Sequence, residues 1–513
     1  MALAFSLACS CGSSVPEYEG AYKHVILISM DTTRADQIGC YGGPVAKTPN
    51  IDSLAERGIL FEQNNSAASS TLASHTSMMT GLYPRRHGVA RNGFMINSDN
   101  VMLAEVLGSN GFHTAGVIGS FALSELFDFD QGFDYWNQEF DIEVDMRTSD
   151  QNQRSGDQVT DTALEHLDQL DGERVFLFVH YFDVHAPYAP PEPFLSQYVL
   201  PEGPRTSGFG SIAAQVNAQQ ERLGVDKRAV YNVGLTRELL DGVPGVSMPG
   251  DEGLAALYQG ELAYTDSEIG RLLDGLEERG MLKDSIVVLT GDHGETFWEH
   301  ADFWHHGVAV YQTNSHVPLI VSMPDGRGKG TRVKQPVSGI DLFPTLLELL
   351  EIPLPEPVAG LSLVPSIDGK GPLPLRSLVS EATQPTGPMI QEGRMAWENQ
   401  LKAKSIRRGN LKYIQTPYLR HEELYDLKAD PSERNNLLQN PPKGSPMNQM
   451  AVLKQPAPKL KGRLIELRQG LDKWRKTNKP RDSQFNTTQM ADVLDRLKTL
   501  GYVGEVEDDG HGH

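Results

Sequence analysis

The sequence predicts an α/β fold with a mostly parallel sheet that helices cover on both faces. Three short apolar runs, at residues 24–30, 174–180 and 285–290, have the length and the β-branched composition of buried parallel strands. Helical patterns lie between these runs. Strands that alternate with helices favour a parallel sheet between two helical layers.

The remaining elements follow in order along the chain. After the strand at 24–30, a helix is predicted over 50–58, with Ile51, Leu54 and Ala55 on one face and Gly58 as its stop. The next patterns indicate a helix at 101–107, a strand at 113–118, an amphipathic helix at 254–279 and a strand at 316–323.

The composition changes near residue 395. We expect a catalytic domain over 22–395, with an insertion at 197–250 that is rich in Gly, Pro and polar residues. Like the proline-rich stretch 366–395, this insertion is interpreted either as a loop over the site or as a tolerated surface insertion. A small α+β subdomain is predicted over 396–504 and a disordered acidic tail over 505–513. The subdomain has predicted strands at 402–406 and 411–415 and predicted helices at 459–476 and 488–500.

The charge balance excludes one class of partner. The chain has 67 acidic and 46 basic residues and a formal net charge of −21, which argues against a nucleic-acid-binding surface. An anionic substrate remains compatible with this charge, because a bound divalent cation can dominate the local field. No run of about 18 apolar residues predicts a transmembrane helix. The sequence does not specify an oligomeric state.

Residues 1–14 are apolar and then small, and we interpret residues 1–20 as an export or lipoprotein signal. Cys9, which follows Ser6, Leu7 and Ala8, is the candidate lipidated residue. A positive n-region is missing, so a disordered start is the alternative. The expected location is the periplasm or, through a lipid anchor, the cell surface. The three cysteines of the chain define no disulfide framework.

Side chains typical of metal ligands follow two of the predicted strands. Asp31 follows the strand 24–30, and Asp292 and His293 follow the strand 285–290. In open α/β sheets, ligand sites lie at this carboxyl edge. Carboxylate and imidazole together suit zinc or manganese best, and calcium is the alternative.

Seven ordered blocks between residues 22 and 440 resemble the sulfatase family of the alkaline phosphatase superfamily. They are VILISMDTTRAD, KTPNIDSLAERGILFEQ, TSMMTGLYPRRHGV, LTGDHGETFWEH, HVPLIVSMP, GIDLFPTLLELLEI and ELYDLKADPSERNNL. The resemblance implies an α/β/α sandwich with a small C-terminal subdomain. It also implies a metal held by Asp31, Asp292 and His293 beside a nucleophile and further ligand at Thr71.

The sequence departs from this family at the nucleophile. Sulfatases carry Cys or Ser there, within Cys/Ser-x-Pro-x-Arg, and convert it to formylglycine, whereas this chain has Thr71, Ala73 and His75. Thr32 also stands where a second aspartate is usual, and residues 303–307 replace a block that often carries a sulfate-binding lysine. These changes resemble the phosphodiesterases and headgroup transferases of the superfamily. An N-cap role for Thr71, with Ser69 or Ser70 as the nucleophile, is the alternative.

Further site residues follow from the same resemblance. His185 and His306 are candidate catalytic residues that assist the leaving group, or they hold a second metal together with Asp183. His300 and His305 are the alternatives to His306. Arg34 and His75 are candidate substrate-binding residues, Arg34 with the alternative of a structural ion pair.

The predicted function is hydrolysis of a phosphate monoester, phosphodiester or sulfate ester of a small molecule, glycan or lipid through a metal-bound Thr71. A formylglycine-independent sulfatase acting on a sulfated glycan or aryl sulfate is the alternative. A headgroup transferase and an inactive binding protein are the alternatives from other classes. Transferases of this kind usually carry membrane helices, and the presence of Asp31, Thr71, Asp292 and His293 argues against an inactive relative.

Overall fold

The computed structural model describes residues 22–140, 153–186, 188–198, 235–236, 252–297, 299–300, 303–383, 402–417, 420–438 and 458–482. It confirms the predicted α/β class, with a mostly parallel central sheet and a small antiparallel C-terminal sheet. The predicted signal at 1–20, the helix at 488–500 and the tail at 505–513 lie outside the described residues.

The strands are numbered here in chain order. They are β1 His24–Met30, β2 Ile59–Phe61, β3 Asn64–Asn65, β4 His113–Ile118, β5 Tyr135–Asn137, β6 Val175–Tyr181, β7 Leu235–Thr236, β8 Ser285–Gly291, β9 Thr296–Phe297, β10 Phe303–His305, β11 His316–Val317, β12 Leu319–Ser322, β13 Thr331–Val333, β14 Val337–Ser338, β15 Leu378–Glu381, β16 Lys404–Arg408, β17 Leu411–Thr416 and β18 His421–Asp426.

The helices are numbered in the same way. They are α1 Pro49–Arg57, α2 Thr71–Thr80, α3 Pro84–His87, α4 Leu103–Ser109, α5 Gly156–Leu167, α6 Phe194–Tyr198, α7 Glu252–Glu278, α8 Gln312–Ser315, α9 Leu342–Leu349, α10 Val364–Ile367 and α11 Pro458–Thr477. No helix in the described part of the chain is both long and apolar enough to cross a membrane.

The central sheet has eight strands in the order β13-β2-β12-β8-β1-β6-β4-β5. Strand β1 lies in the middle and pairs in parallel with β6 and β8, so that Met30 is opposite Tyr181 on one side and Gly291 on the other. The residues that follow these strands therefore leave the sheet side by side at its carboxyl edge. They include Asp31 and Asp292.

Helices cover both faces of this sheet, because neighbouring residues of a buried strand point to opposite sides. On β1, Val25 and Leu27 pack into one apolar cluster with α2, α4 and α9. Ile26 and Ile28 pack into a second cluster with α1, α5 and α7. Alternate side chains of β1 thus contact the helical layers on opposite faces of the sheet.

Several predicted elements agree with the structure within a few residues. The strands at 24–30 and 113–118 have the predicted bounds, and the helix predicted at 50–58 is α1, after which Gly58 follows. The single strand predicted at 316–323 is wrong. It is divided at Pro318 into β11, which pairs with β3, and β12, which belongs to the central sheet. Proline has no N–H to donate to a ladder.

The C-terminal sheet begins earlier than the predicted subdomain boundary. Its order is β15-β16-β17-β18, and β15 comes from the proline-rich stretch 366–395, which is interpreted above as a loop over the site or a surface insertion. Of the insertion predicted at 197–250, residues 197–198 at the end of α6 and β7 are described, and β7 pairs with β10. The predicted domain bounds at 395 and 504 are not tested.

Candidate active site

Three candidate metal ligands meet at the carboxyl edge of the central sheet. Among the described residues, Asp31, Asp292 and His293 are the one group of three acidic, histidine or cysteine side chains whose ligand atoms all lie within 4.8 Å of one another. His293 Nε2 is 3.6 Å from Asp31 Oδ1 and 3.3 Å from Asp292 Oδ2. All three side chains are buried.

The hydrogen bonds around this group leave three carboxylate oxygens without a partner in the described structure. Asp292 Oδ1 accepts hydrogen bonds from the backbone N–H of Thr32 at 3.2 Å and of His293 at 2.7 Å. Both oxygens of Asp31 and Oδ2 of Asp292 have no hydrogen-bond partner in the described structure. Buried carboxylate oxygens are normally satisfied, so three such oxygens around one imidazole fit a divalent cation.

The protonation states also fit a metal site. Burial lowers the pKa of His293 to about 4, against the opposing charge of Asp31. Because the Nδ1–H of His293 donates to the Gly294 carbonyl at 3.1 Å, the neutral ring presents a bare Nε2 to both carboxylates. Burial and the charge of Asp31 raise the pKa of Asp292. A divalent cation would offset this repulsion.

Asp31 is held in its charged form by histidines. Burial alone would raise the pKa of Asp31, but its interactions with His180, His185 and His293 lower it overall. His180 Nε2 lies 3.3 Å from Asp31 Oδ2. His180, on β6, therefore lies against this carboxylate without a well-formed hydrogen bond to it.

Thr71 begins helix α2 and faces the same group of side chains. Its Oγ1 lies 3.5 Å from His293 Nε2, and the residue is fully buried. The helix begins here because the preceding Ser70 is extended, with φ −150° and ψ 156°. Asn92 Oδ1 then accepts the orphan N–H of Leu72 at 2.8 Å. The hydroxyl thus stands at the positive end of a ten-residue helix.

His75 forms a hydrogen bond with the backbone of Thr71. Its Nδ1 lies 2.8 Å from the Thr71 carbonyl, which can only accept, so Nδ1 carries the proton. Nε2 then accepts from the Ser29 hydroxyl at 2.8 Å. Both ring nitrogens are engaged within the protein, and burial lowers the pKa of His75 to about 3. This neutral ring connects α2 to β1.

The structure brings His185 and His306 to the same site. Their ring centroids are 5.0 Å apart, and the His306 ring lies 4.4 Å from that of His293. The Nδ1–H of His185 donates to the Ala186 carbonyl at 2.5 Å. His306 Nδ1 lies 3.2 Å from Glu295 Oε1, so this buried carboxyl sets the orientation of the ring.

The structure does not assemble the second predicted metal site. Asp183 Oδ1 accepts from the Gly156 N–H at 2.8 Å, at the first residue of α5. Burial raises the pKa of Asp183 to about 7, with the nearby charges of Asp157 and Glu268 adding to the effect. One carboxyl oxygen is thus engaged at the start of α5, and Asp183, His185 and His306 do not form a group of ligand atoms within 4.8 Å in the described structure. A second metal held by these residues stays a prediction.

Arg34 is occupied by structural partners. Its guanidinium forms ion pairs with Asp36 at 2.8 Å and with Glu299. It also donates to the Glu295 carbonyl at 3.1 Å. These contacts attach the loop after β8 to the loop after β1, and they match the structural alternative for Arg34. Substrate binding by Arg34 stays a prediction.

Two residues at the site were not selected from the sequence. Asn92 is buried, and its Nδ2 has no hydrogen-bond partner among the described residues, although its Oδ1 caps α2. Asn-Gly normally indicates a turn, so nothing local marked Asn92 as a site residue. Glu295 lies within the quoted block LTGDHGETFWEH, and its place two residues after His293 was the available signal.

Comparisons with known proteins identify the family of the chain. The profile of the family described as Sulfatase matches residues 23–352. The N-acetylglucosamine-6-O-sulfatase of Bacteroides thetaiotaomicron is 25% identical over 491 residues, which cover 85% of this chain and 85% of that protein.

Solved structures share the fold. The phosphonate monoester hydrolase of Agrobacterium radiobacter superimposes with a TM-score of 0.66 at 21% identity, over 89% of this chain and 96% of that one. A protein solved with its substrate D-glucosamine-2-N,6-O-disulfate has the same TM-score of 0.66 and 21% identity, over 89% of this chain and 98% of that one. With more than half of its length matched by the family profile, the chain belongs to the sulfatase family and is a hydrolase of sulfuric or phosphoric esters.

Proposed function

We propose that this protein hydrolyses a phosphate monoester or diester with Thr71 as an unmodified nucleophile. The observation that carries the proposal is the position of Thr71 Oγ1, 3.5 Å from His293 Nε2, the atom that lies within 3.6 Å of the Asp31 and Asp292 carboxylates. Threonine cannot be oxidised to formylglycine, because its hydroxyl-bearing carbon also bears a methyl group.

A divalent cation fits the donor set of Asp31, Thr71, Asp292 and His293. Two carboxylates and one imidazole favour zinc or manganese, with calcium as the alternative. When bound, the cation would lower the pKa of the hydroxyl and neutralise charge on the ester oxygens.

The side chains of the protein supply the remaining functions. In the first step, the Thr71 oxygen attacks phosphorus in line and gives up its proton, the bond from phosphorus to the alcohol oxygen breaks, and the departing oxygen takes up a proton. His185 and His306 are the candidates for these proton transfers. Water then attacks the phosphorus of the covalent ester, the bond to Thr71 breaks and its oxygen regains a proton. A monoester substrate thus releases inorganic phosphate, and a diester releases a phosphate monoester. The N-terminal end of α2, where Thr71 lies, carries a partial positive charge that stabilises the anionic group of the ester.

The nature of the nucleophile determines the preferred ester. A formylglycine hydrate releases sulfate by elimination, whereas a threonine ester must be cleaved by water at the central atom. That second route is common for phosphoryl enzymes. We therefore expect kcat/KM for nitrophenyl phosphate or bis-nitrophenyl phosphate to exceed that for nitrophenyl sulfate by at least ~10-fold, or ~1.4 kcal/mol.

An activity panel tests this preference. The three esters are compared on the same metal-free preparation after addition of zinc, manganese or calcium. A higher kcat/KM for the sulfate ester with every metal would contradict the proposal. It would favour the second candidate, a formylglycine-independent sulfatase. The 25% identity to an N-acetylglucosamine-6-O-sulfatase supports a sulfated glycan as the substrate in that case.

We further propose that the protein is exported to the periplasm or the cell surface, with a lipid on Cys9. The support is the apolar segment 1–20 and its Ser6-Leu7-Ala8-Cys9 sequence. Fractionation of a bacterial host is expected to place a shortened protein outside the cytosol, and a Cys9→Ser variant is expected to leave the membrane fraction. A full-length protein in the cytosol would exclude export.

A further inference from the structure

A buried carboxylate of the C-terminal sheet region lies close to the loop that carries His293. Glu433 is 1% exposed and has a left-handed backbone, with φ +53°. Asp430 builds the turn around it, because its carboxylate accepts hydrogen bonds from the N–H of Arg434 at 3.1 Å and of Asn435 at 2.8 Å. A non-glycine residue in this conformation is strained and persists where its surroundings require it.

The Glu433 carboxylate lies between a lysine and a short helix. Oε1 is 2.9 Å from Nζ of Lys412, a fully buried residue of β17. Oε2 accepts from the N–H of Gln312, the first residue of α8, at 2.5 Å. Lys412 Nζ also donates to Gln312 Oε1 at 3.2 Å and to Ser315 Oγ at 3.3 Å. The ion pair therefore holds α8 at its first and last residues.

The opposite side of α8 contacts the loop after β8. The Gly294 N–H donates to the Asn314 carbonyl at 2.9 Å. Thr296 Oγ1 lies 2.8 Å from Thr313 Oγ1 and donates to Asn314 Oδ1 at 2.9 Å. The approach at Gly294 is close, since a Cβ there would lie 2.1 Å from the Thr313 carbonyl oxygen. Helix α8 thus supports the residues on both sides of Glu295.

We propose that Glu433 is a positioning residue, which acts with Lys412 through α8 to hold His293 in its metal-binding geometry. The link is short, because His293 Nδ1–H donates to the carbonyl of Gly294, whose own N–H is held by α8. Residues that orient a metal ligand typically change metal affinity by about 10–100-fold when they are removed. The inference rests on the proposed metal site at Asp31, Asp292 and His293.

Metal affinity of the folded protein tests the proposal. Zinc and manganese dissociation constants are measured by competition with a chromophoric chelator, beside the thermal midpoint of the metal-free protein. Glu433→Ala is expected to weaken binding at least ~10-fold. Glu433→Gln combined with Lys412→Met keeps an acceptor for the Gln312 N–H and leaves no buried lone charge. That double variant keeps the contact at Gln312 but loses the one at Ser315. It is therefore expected to bind metal more tightly than Glu433→Ala and less tightly than the wild-type protein.

Glu351→Ala is the matched control. Glu351 is also left-handed, with φ +56°, but it is exposed, shortly after the end of α9. A loss of metal affinity in Glu433→Ala that exceeds that in Glu351→Ala supports positioning. Unchanged affinity in a folded Glu433→Ala variant, with only a lower thermal midpoint, overturns it. Failure of the metal site itself is distinguishable, because the wild-type protein would then bind no metal.

Discussion

A Thr71→Ala variant is expected to fold normally and to lose at least ~10³-fold in kcat, as when other covalent nucleophiles are removed. The substitution deletes the hydroxyl that faces His293 Nε2 at 3.5 Å. It leaves the helix in place, because alanine favours helix and Asn92 continues to accept the Leu72 N–H. The measurement is kcat at saturating substrate, with circular dichroism to establish folding.

Ser70→Ala is the matched control for this experiment. The Ser70 hydroxyl is buried next to Thr71 and has no hydrogen-bond partner within the described residues. Its removal is expected to leave kcat within about tenfold of wild type, in contrast to loss of a nucleophile. Peptide mass spectrometry is expected to find unmodified threonine at position 71, also after co-expression with a formylglycine-generating enzyme. A near-normal rate in Thr71→Ala, or an aldehyde at Ser69 or Ser70, would refute the assignment.

Asp292→Asn and His293→Ala are each expected to remove most of the bound metal and nearly all turnover. Asparagine retains an acceptor for the N–H groups of Thr32 and His293, so the loop keeps its hydrogen bonds while the charge is lost. His293→Ala removes Nε2, which lies within 3.6 Å of both carboxylates. Metal content per folded protein, measured by inductively coupled plasma mass spectrometry, is expected to fall below about a tenth of the wild-type value.

Asp266→Asn is the control, because it changes a buried aspartate that is not part of the metal group. Asp266 Oδ1 accepts the N–H of Asn50 at 3.1 Å and of Ile51 at 2.8 Å, at the start of α1. Asparagine can preserve these bonds, so full metal content is expected. Full metal occupancy in Asp292→Asn and in His293→Ala would exclude the assigned ligands. A wild-type protein that purifies without metal, and gains no activity on adding it, would favour an inactive binding protein.

Much of the candidate site follows from strand ends. Asp31 and Asp292 come directly after buried strands, and parallel strands bring their carboxyl ends to one edge. Asp31 and Asp292 can therefore be predicted to lie close together although they are far apart in the sequence. Thr71, His185 and His306 lie on a helix and on loops that strand periodicity does not describe. They were selected only through the resemblance to a family.

The orientations of the polar side chains could not be obtained in this way. Asp183 and His185 are two residues apart after β6, yet Asp183 caps α5 and His185 faces His306. The orientation of each side chain depends on its hydrogen-bond partner. For Asp183 this partner is the N–H of Gly156, 27 positions earlier in the chain. The sequence around Asp183 does not indicate that partner.

By itself, the sequence determined the α/β class and placed Asp31, Asp292 and His293 after buried strands, because strand periodicity and composition are local properties. Only the tertiary structure decided which of the predicted residues share one site. His75 lies beneath Thr71 with both nitrogens engaged, and Arg34 is held by Asp36 and Glu299. The physical reason is that a buried polar group must find partners, and those partners come from distant parts of the chain.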